Sequence, residues 1–132
     1  MKRCIKELFE ELRLSRAEME REYRIMKRAV RSESTEESLR LAALRRKRSS
    51  LLIKRISGEE RLAERILTGI ENPRERTLLR LRYLDGLSWR DIEEFFADTG
   101  SPLCERQLFR IHTAALSSAE KVRLKLEKGG DN

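Results

Sequence analysis

Cysteine, proline, histidine and aromatic residues are all scarce in this chain of 132 residues. Its two cysteines, Cys4 and Cys104, stand far apart with no Cys-x-x-Cys spacing, so a reduced, cytoplasmic chain without disulfide or zinc is expected. His112 is the single histidine, and neither paired carboxylates in an apolar setting nor a glycine-rich phosphate loop occurs. Nucleophilic, metal-dependent and nucleotide-hydrolysing sites therefore lack their minimum residues, which argues against an enzyme and against any cofactor. The opening MKRCIKELFEEL has no continuous apolar run of the kind a signal peptide needs. No stretch approaches a membrane span, so no membrane partner is expected. Strand-like alternation is missing throughout, which leaves an all-α fold.

What the chain has is charge. Lys and Arg number 30 against 23 Asp and Glu, for a net charge of +7. Such a balance suits an acidic partner such as nucleic acid or a membrane surface. A solvent-exposed helical or coiled-coil protein has the same composition, so charge alone does not decide between them. With 39% hydrophobic residues the chain is long enough for one modest core and too short for two large domains.

From residue 2 to 31 the pattern is one helix, with Ile5, Leu12, Met19 and Met26 at seven-residue spacing and Leu8, Phe9, Tyr23, Ala29 and Val30 in support. That spacing makes an apolar seam, although Ser15 and Glu22 occupy two positions that should complete it. A polar break, RSESTEE, follows, in which Ser34 and Glu37 have capping-box spacing. Leu39, Leu41, Leu44, Leu51, Leu52, Ile56, Leu62, Ala63, Ile66 and Ile70 then carry a second helical pattern to Asn72. Its one interruption is Ser57-Gly58-Glu59-Glu60. A glycine inside a helix costs only about 1 kcal/mol relative to alanine, so one long helix, bent at most at Gly58, is expected. Residues 1–71 thus form either an antiparallel hairpin of long helices or a coiled coil between chains.

Residues 72–118 read as three short helices. Asn72 supplies an N-cap, Pro73 the first helical position, and Glu75 a side chain placed to reach back to the cap; Leu78, Leu79 and Leu81 follow, and Asp85-Gly86 is the stop. Ser88 and Asp91 have capping-box spacing ahead of Trp89, Ile92 and Phe96, a helix of about two turns. ADTGSPL supplies turn residues, and a third helix begins at Ser101-Pro102 or at Cys104. Its Leu108, Ile111 and Ala115 share one face, leaving Glu105, Arg106, Phe109, Arg110 and His112 outward. A trihelical helix-turn-helix presents side chains to a DNA groove in this way. Residues 119–132 read as a short, fraying helical tail.

PRERTLLRLRY, LSWRDI and CERQLFRIHTAAL resemble, in order and spacing, the promoter-reading C-terminal region of bacterial sigma factors. They are closer still to small sigma-factor-like proteins of phages and prophages, in which a helical N-terminal segment precedes this module. Cys104 stands where those proteins have Ser or Thr, and the ADTGSPL turn is longer than theirs. The resemblance implies a sequence-specific DNA-binding transcription regulator, with RNA polymerase as a second partner. It places base and phosphate contacts at Glu105, Arg106, Phe109 and Arg110, and phosphate contacts at Arg74, Arg82 and Ser88. Geometry alone favours Arg106 and Arg110 as base readers, one turn apart and opposite Leu108 and Ile111, since arginine suits bidentate contact with guanine. His112 is expected as an exposed helix residue or a phosphate neighbour.

The positive charge sits elsewhere. Residues 1–56 carry 17 basic and 9 acidic side chains, whereas residues 73–116 carry 7 of each. Arg40, Arg45, Arg46, Lys47, Arg48, Lys54 and Arg55 follow one another without an intervening acid, which makes Arg45, Arg46 and Arg48 candidate phosphate contacts beside the alternative of a solvated face. Two further functions fit the same pattern. One is an oligomeric phage DNA-packaging recognition subunit assembled through residues 1–70, and the other is a protein-interaction module that does not bind DNA.

Overall fold

In a computed structural model of the chain, residues 4–29 and 36–129 are described. All their regular structure is helical: α1 (Ile5–Ala29), α2 (Glu36–Thr68), α3 (Pro73–Leu79) with a π-helical last turn (Arg80–Leu84), α4 (Trp89–Asp98) and α5 (Glu105–Gly129). The expected Ser34 cap and Val30 lie outside the described residues.

The N-terminal seam forms over its first half. Ile5, Leu8, Phe9 and Leu12 are buried, and Met19 is half-buried against the same core. The polar positions in the seam are met by arginines of α2. Arg55 donates to the Ser15 hydroxyl at 2.9 Å, and Arg45 pairs with Glu22 at 3.2 Å. Arg16 pairs with Glu60 in the same antiparallel sense. A buried hydroxyl loses little when it keeps a hydrogen bond, so Ser15 is accommodated at 6% exposure. Tyr23 does not join the seam; it is 65% exposed.

Helix α2 runs unbroken through Gly58, where an added Cβ would meet nothing within 4 Å. The Ser57–Glu60 stretch therefore does not restart a helix. Only Leu52, Ile56, Ala63, Ile66 and Leu67 of α2 are buried. Leu39, Leu41, Leu44 and Leu51, expected in the seam, are exposed instead, because α1 covers a single stripe of this half of the helix.

Each later helix starts as its cap predicts, with differences in the partners. Asn72 Oδ1 accepts the N–H groups of Arg74 at 2.9 Å and Glu75 at 3.3 Å, satisfying donors that a helix start leaves open. The Glu75 carboxylate does not return to this cap; it accepts the Ser118 hydroxyl of α5 at 2.6 Å. Gly86, at φ +72°, reverses the chain after the π-helical turn, and the Leu87 N–H closes onto the Leu81 carbonyl at 2.9 Å. Ser88 Oγ accepts the Asp91 N–H at 3.2 Å. Helix α4 continues through Asp98, longer than two turns, which shortens the connection to residues 99–104. Cys104 starts α5, with its own N–H held by the Gln107 side-chain carbonyl at 2.9 Å.

Helix α5 does not stop near residue 118. Ala119 is fully buried and Val122 and Leu126 pack against the core, so the expected fraying tail is the second half of a 25-residue helix. One hydrophobic core spans the boundary expected near residue 71. Phe9 of α1 stacks on Tyr83 of the π-helical turn with ring centroids 5.2 Å apart, and Ile66, Leu67 and Ile70 are buried with Leu78, Leu79, Leu108 and Ala115.

Candidate nucleic-acid interface

Helix α5 divides its surface by spacing. Leu108, Ala115 and Ala119 are buried, whereas Glu105, Arg106, Phe109, Arg110, Thr113, Ala114 and Ser117 line one open, shallow surface. Arg106 and Arg110 are exposed and make no ion pair with any described residue. Their guanidinium groups thus keep their donors for a partner. Thr113 and Ser117, seven residues beyond Arg106 and Arg110, extend this face. Sequence reasoning stopped short of them, although the same spacing contained the signal.

Phe109, 42% exposed, is steadied at its edge by Trp89 of α4, with centroids 5.3 Å apart and planes at 67°. Trp89, the first residue of α4, is only half-buried, and its ring touches both Phe109 and His112 of α5. The Arg82 guanidinium carbon lies 4.7 Å from the indole centroid on one side, and the His112 ring stands edge-on at 4.9 Å. Such cation–π and edge-to-face contacts fix the angle at which α4 meets α5.

Two expected phosphate contacts are turned inward. His112 is half-buried, and its Nε2 shares a 2.7 Å hydrogen bond with the Tyr83 hydroxyl, so the expectation of an exposed histidine is corrected. The reason is its position one residue past Ile111, where the helix surface rolls toward Tyr83 and Trp89. Burial, helped by the Lys6 and Arg82 charges, lowers the His112 pKa, while Glu10 opposes. The same burial pushes Tyr83 up to about 12. Arg82 is the second: it donates to the Leu87 carbonyl at 3.1 Å and covers Trp89, holding the turn between α3 and α4. Arg74 remains exposed with no side-chain partner among the described residues, and the Ser88 hydroxyl is occupied as a cap acceptor.

On α2 the basic run separates into different surfaces. Arg45 is committed to Glu22, and Arg55 to Ser15 and Glu59. Arg46, Lys47 and Lys54 are exposed, with the two lysines one heptad apart on the side away from α1. Arg48 is also exposed, but on the stripe of Leu44 and Leu51. Helix α4 carries the opposite sign, with Asp91, Glu93, Glu94 and Asp98 against Arg90.

The chain matches no family model, no curated protein and no solved structure. Function is therefore argued from these surfaces. Among the described residues no group of three His, Cys, Asp or Glu side chains converges on a metal position, and no helix is long and apolar enough to cross a membrane.

Proposed function

We propose that the chain is a sequence-specific regulator of transcription that reads duplex DNA with α5, in the manner of the promoter-reading region of sigma factors. The observation that carries this reading is the open face of α5: Arg106 and Arg110, exposed and without an ion pair among the described residues, flank Phe109 on a helix whose opposite face is locked by Leu108, Ala115 and Ala119. Helices α4 and α5 are then the helix-turn-helix, α3 its support, and the antiparallel α1 and α2 an N-terminal hairpin. Arg106 and Arg110 contact guanine edges, Glu105 accepts from a cytosine amine, and Phe109 meets a thymine methyl. Arg74, exposed and without a side-chain partner among the described residues, holds a phosphate. Arg46, with Lys47 and Lys54, supplies the electrostatic attraction that the neutral module lacks. By the same resemblance the chain is phage- or prophage-encoded and acts in the cytoplasm.

Selection of bound sequences from random duplex DNA with the full chain tests this directly. A recovered motif that loses definition when Arg106 and Arg110 are replaced by Ala supports the reading; recovery of random sequence contradicts it.

One observation favours a second reading, docking on protein. The outward side of α4 presents Asp91, Glu94, Phe95 and Asp98, a surface that repels phosphates and suits a basic partner. RNA polymerase is the partner that the sigma resemblance implies, and this contact is compatible with DNA reading by α5.

A further inference from the structure

Phe109 is a large apolar side chain on the open face of α5, set between Arg106 and Arg110. A phenylalanine on a helix has two open χ1 wells, so an exposed one must be ordered when it meets a partner. Here the ordering contact is made within the chain. Among the described residues the Trp89 indole is the one ring that touches Phe109, with centroids 5.3 Å apart and planes at 67°. The indole is itself held. The Arg82 guanidinium carbon lies 4.7 Å from its centroid, and Arg82 is fixed by the Leu87 carbonyl at 3.1 Å. His112, one turn beyond Phe109, stands edge-on to the indole at 4.9 Å and is tied to the Tyr83 hydroxyl at 2.7 Å. Of these neighbours Arg82 and His112 are anchored in the fold, and Phe109 alone lines the open face of α5.

We infer that Trp89 is a positioning residue for base reading: by holding the Phe109 ring in place, it sets discrimination at the base pair that Phe109 meets. This rests on the proposed reading of duplex DNA by α5. Helix α5 does not depend on Trp89 for its own seat. Leu108, Ala115 and Ala119 are buried on its other side, and the Ser118 hydroxyl donates to Glu75 of α3 at 2.6 Å. Nor do the two arginines depend on it. Going round the helix from His112, Phe109 comes before Arg106 and Arg110, so both arginines stand clear of the indole that His112 and Phe109 share. Loss of the indole therefore frees the Phe109 ring and leaves the arginine contacts in place.

A double-mutant cycle in the full chain tests the inference, read by selection from random duplex DNA and by titration of the selected and a scrambled duplex. Phe109→Ala identifies the base pair at which definition is lost. Trp89→Leu should lose definition at that same pair and keep it at the pairs that depend on Arg106 and Arg110. On the selected duplex Trp89→Leu should weaken binding about three- to tenfold, the order of freezing one freed side chain. In the Phe109→Ala background it should weaken binding less than about twofold, since no ring is left to hold. Affinity for the scrambled duplex, which comes from phosphate contacts, should change less than about twofold. Trp89→Phe keeps an aromatic edge for Phe109 and should restore definition at that pair. Trp89→Met, which fills more of the indole's volume without a ring, repeats the cycle, so a poorly folded leucine variant does not decide it. Equal weakening on both duplexes, the same weakening with and without Phe109, lost definition at the arginine-dependent pairs, or a full motif kept by Phe109→Ala would each overturn the inference while leaving the reading by α5 standing. A wild type that selects no motif would overturn that reading and the inference with it.

Discussion

His112 shows how one residue's setting decides its role. In the unfolded chain its pKa is about 6.5, and in the fold burial against Tyr83 and Trp89, with Lys6 and Arg82 nearby, lowers it. The folded state therefore takes up a proton less readily than the unfolded state. Its contribution to stability is complete above the unfolded value and is lost as pH falls from there toward the folded value. Stability measured by denaturant unfolding should thus fall between pH 7 and pH 5, with His112 supplying a slope of at most about 1.4 kcal/mol per pH unit. His112→Gln should flatten that part of the profile, and an unchanged slope would show that the histidine stays accessible to protons in the fold. The outward position of Arg106 and Arg110 was legible from spacing alone. The inward turn of His112 and Arg82 was not, because it depends on where Trp89 sits, and Trp89 is placed by α4 packing on a different part of the chain.

At the scale of elements, most helix boundaries were legible because caps act locally. Asn72, Ser88 and Gly86 do what their chemistry predicts. The length of α5 was not legible, since its second half is held by tertiary contacts with the end of α2. There Gly69 comes so close to Val122 that an added Cβ would lie 2.6 Å from Val122 Cγ1. Gly69→Ala should cost about 1–3 kcal/mol by overpacking this contact. Adding Val122→Ala should recover part of that loss, so the double variant should be more stable than the sum of the two single effects implies. Additive effects in thermal unfolding would mean that α5 and α2 do not meet there. The basic part of α2 makes a different prediction. Replacing Arg46, Lys47 and Lys54 by Ala should weaken binding to all duplexes alike and reduce the salt slope by about one unit per lost phosphate contact. The Arg45→Ala slope should stay close to that of the wild type, because Glu22 already engages that side chain. A wild-type slope in the triple variant would make this side of α2 a solvated face.

For the whole molecule, the all-helical class and the two long N-terminal helices could be read from periodicity. The single core could not, because it rests on contacts between residues far apart in sequence, such as Phe9 with Tyr83. The N-terminal helices therefore do more than precede the α5 face; they hold its base. Leu12 is fully buried, and Leu12→Asp puts an unpaired carboxylate into that core. A loss above about 3 kcal/mol, with α1 and α5 melting in one transition, is expected. Separate transitions would show that the two halves fold independently.

Reading of duplex sequence by α5 is the central claim, and fluorescence anisotropy on paired duplexes measures it most directly. The wild type and the Arg106→Ala and Arg110→Ala variants would be titrated, at one fixed salt concentration, against the selected duplex and a scrambled duplex of the same length. Each substitution should cost about 1–3 kcal/mol on the selected duplex and much less on the scrambled one, narrowing the difference between them. Equal losses on both duplexes, or equal affinity of the wild type for both, would contradict the account.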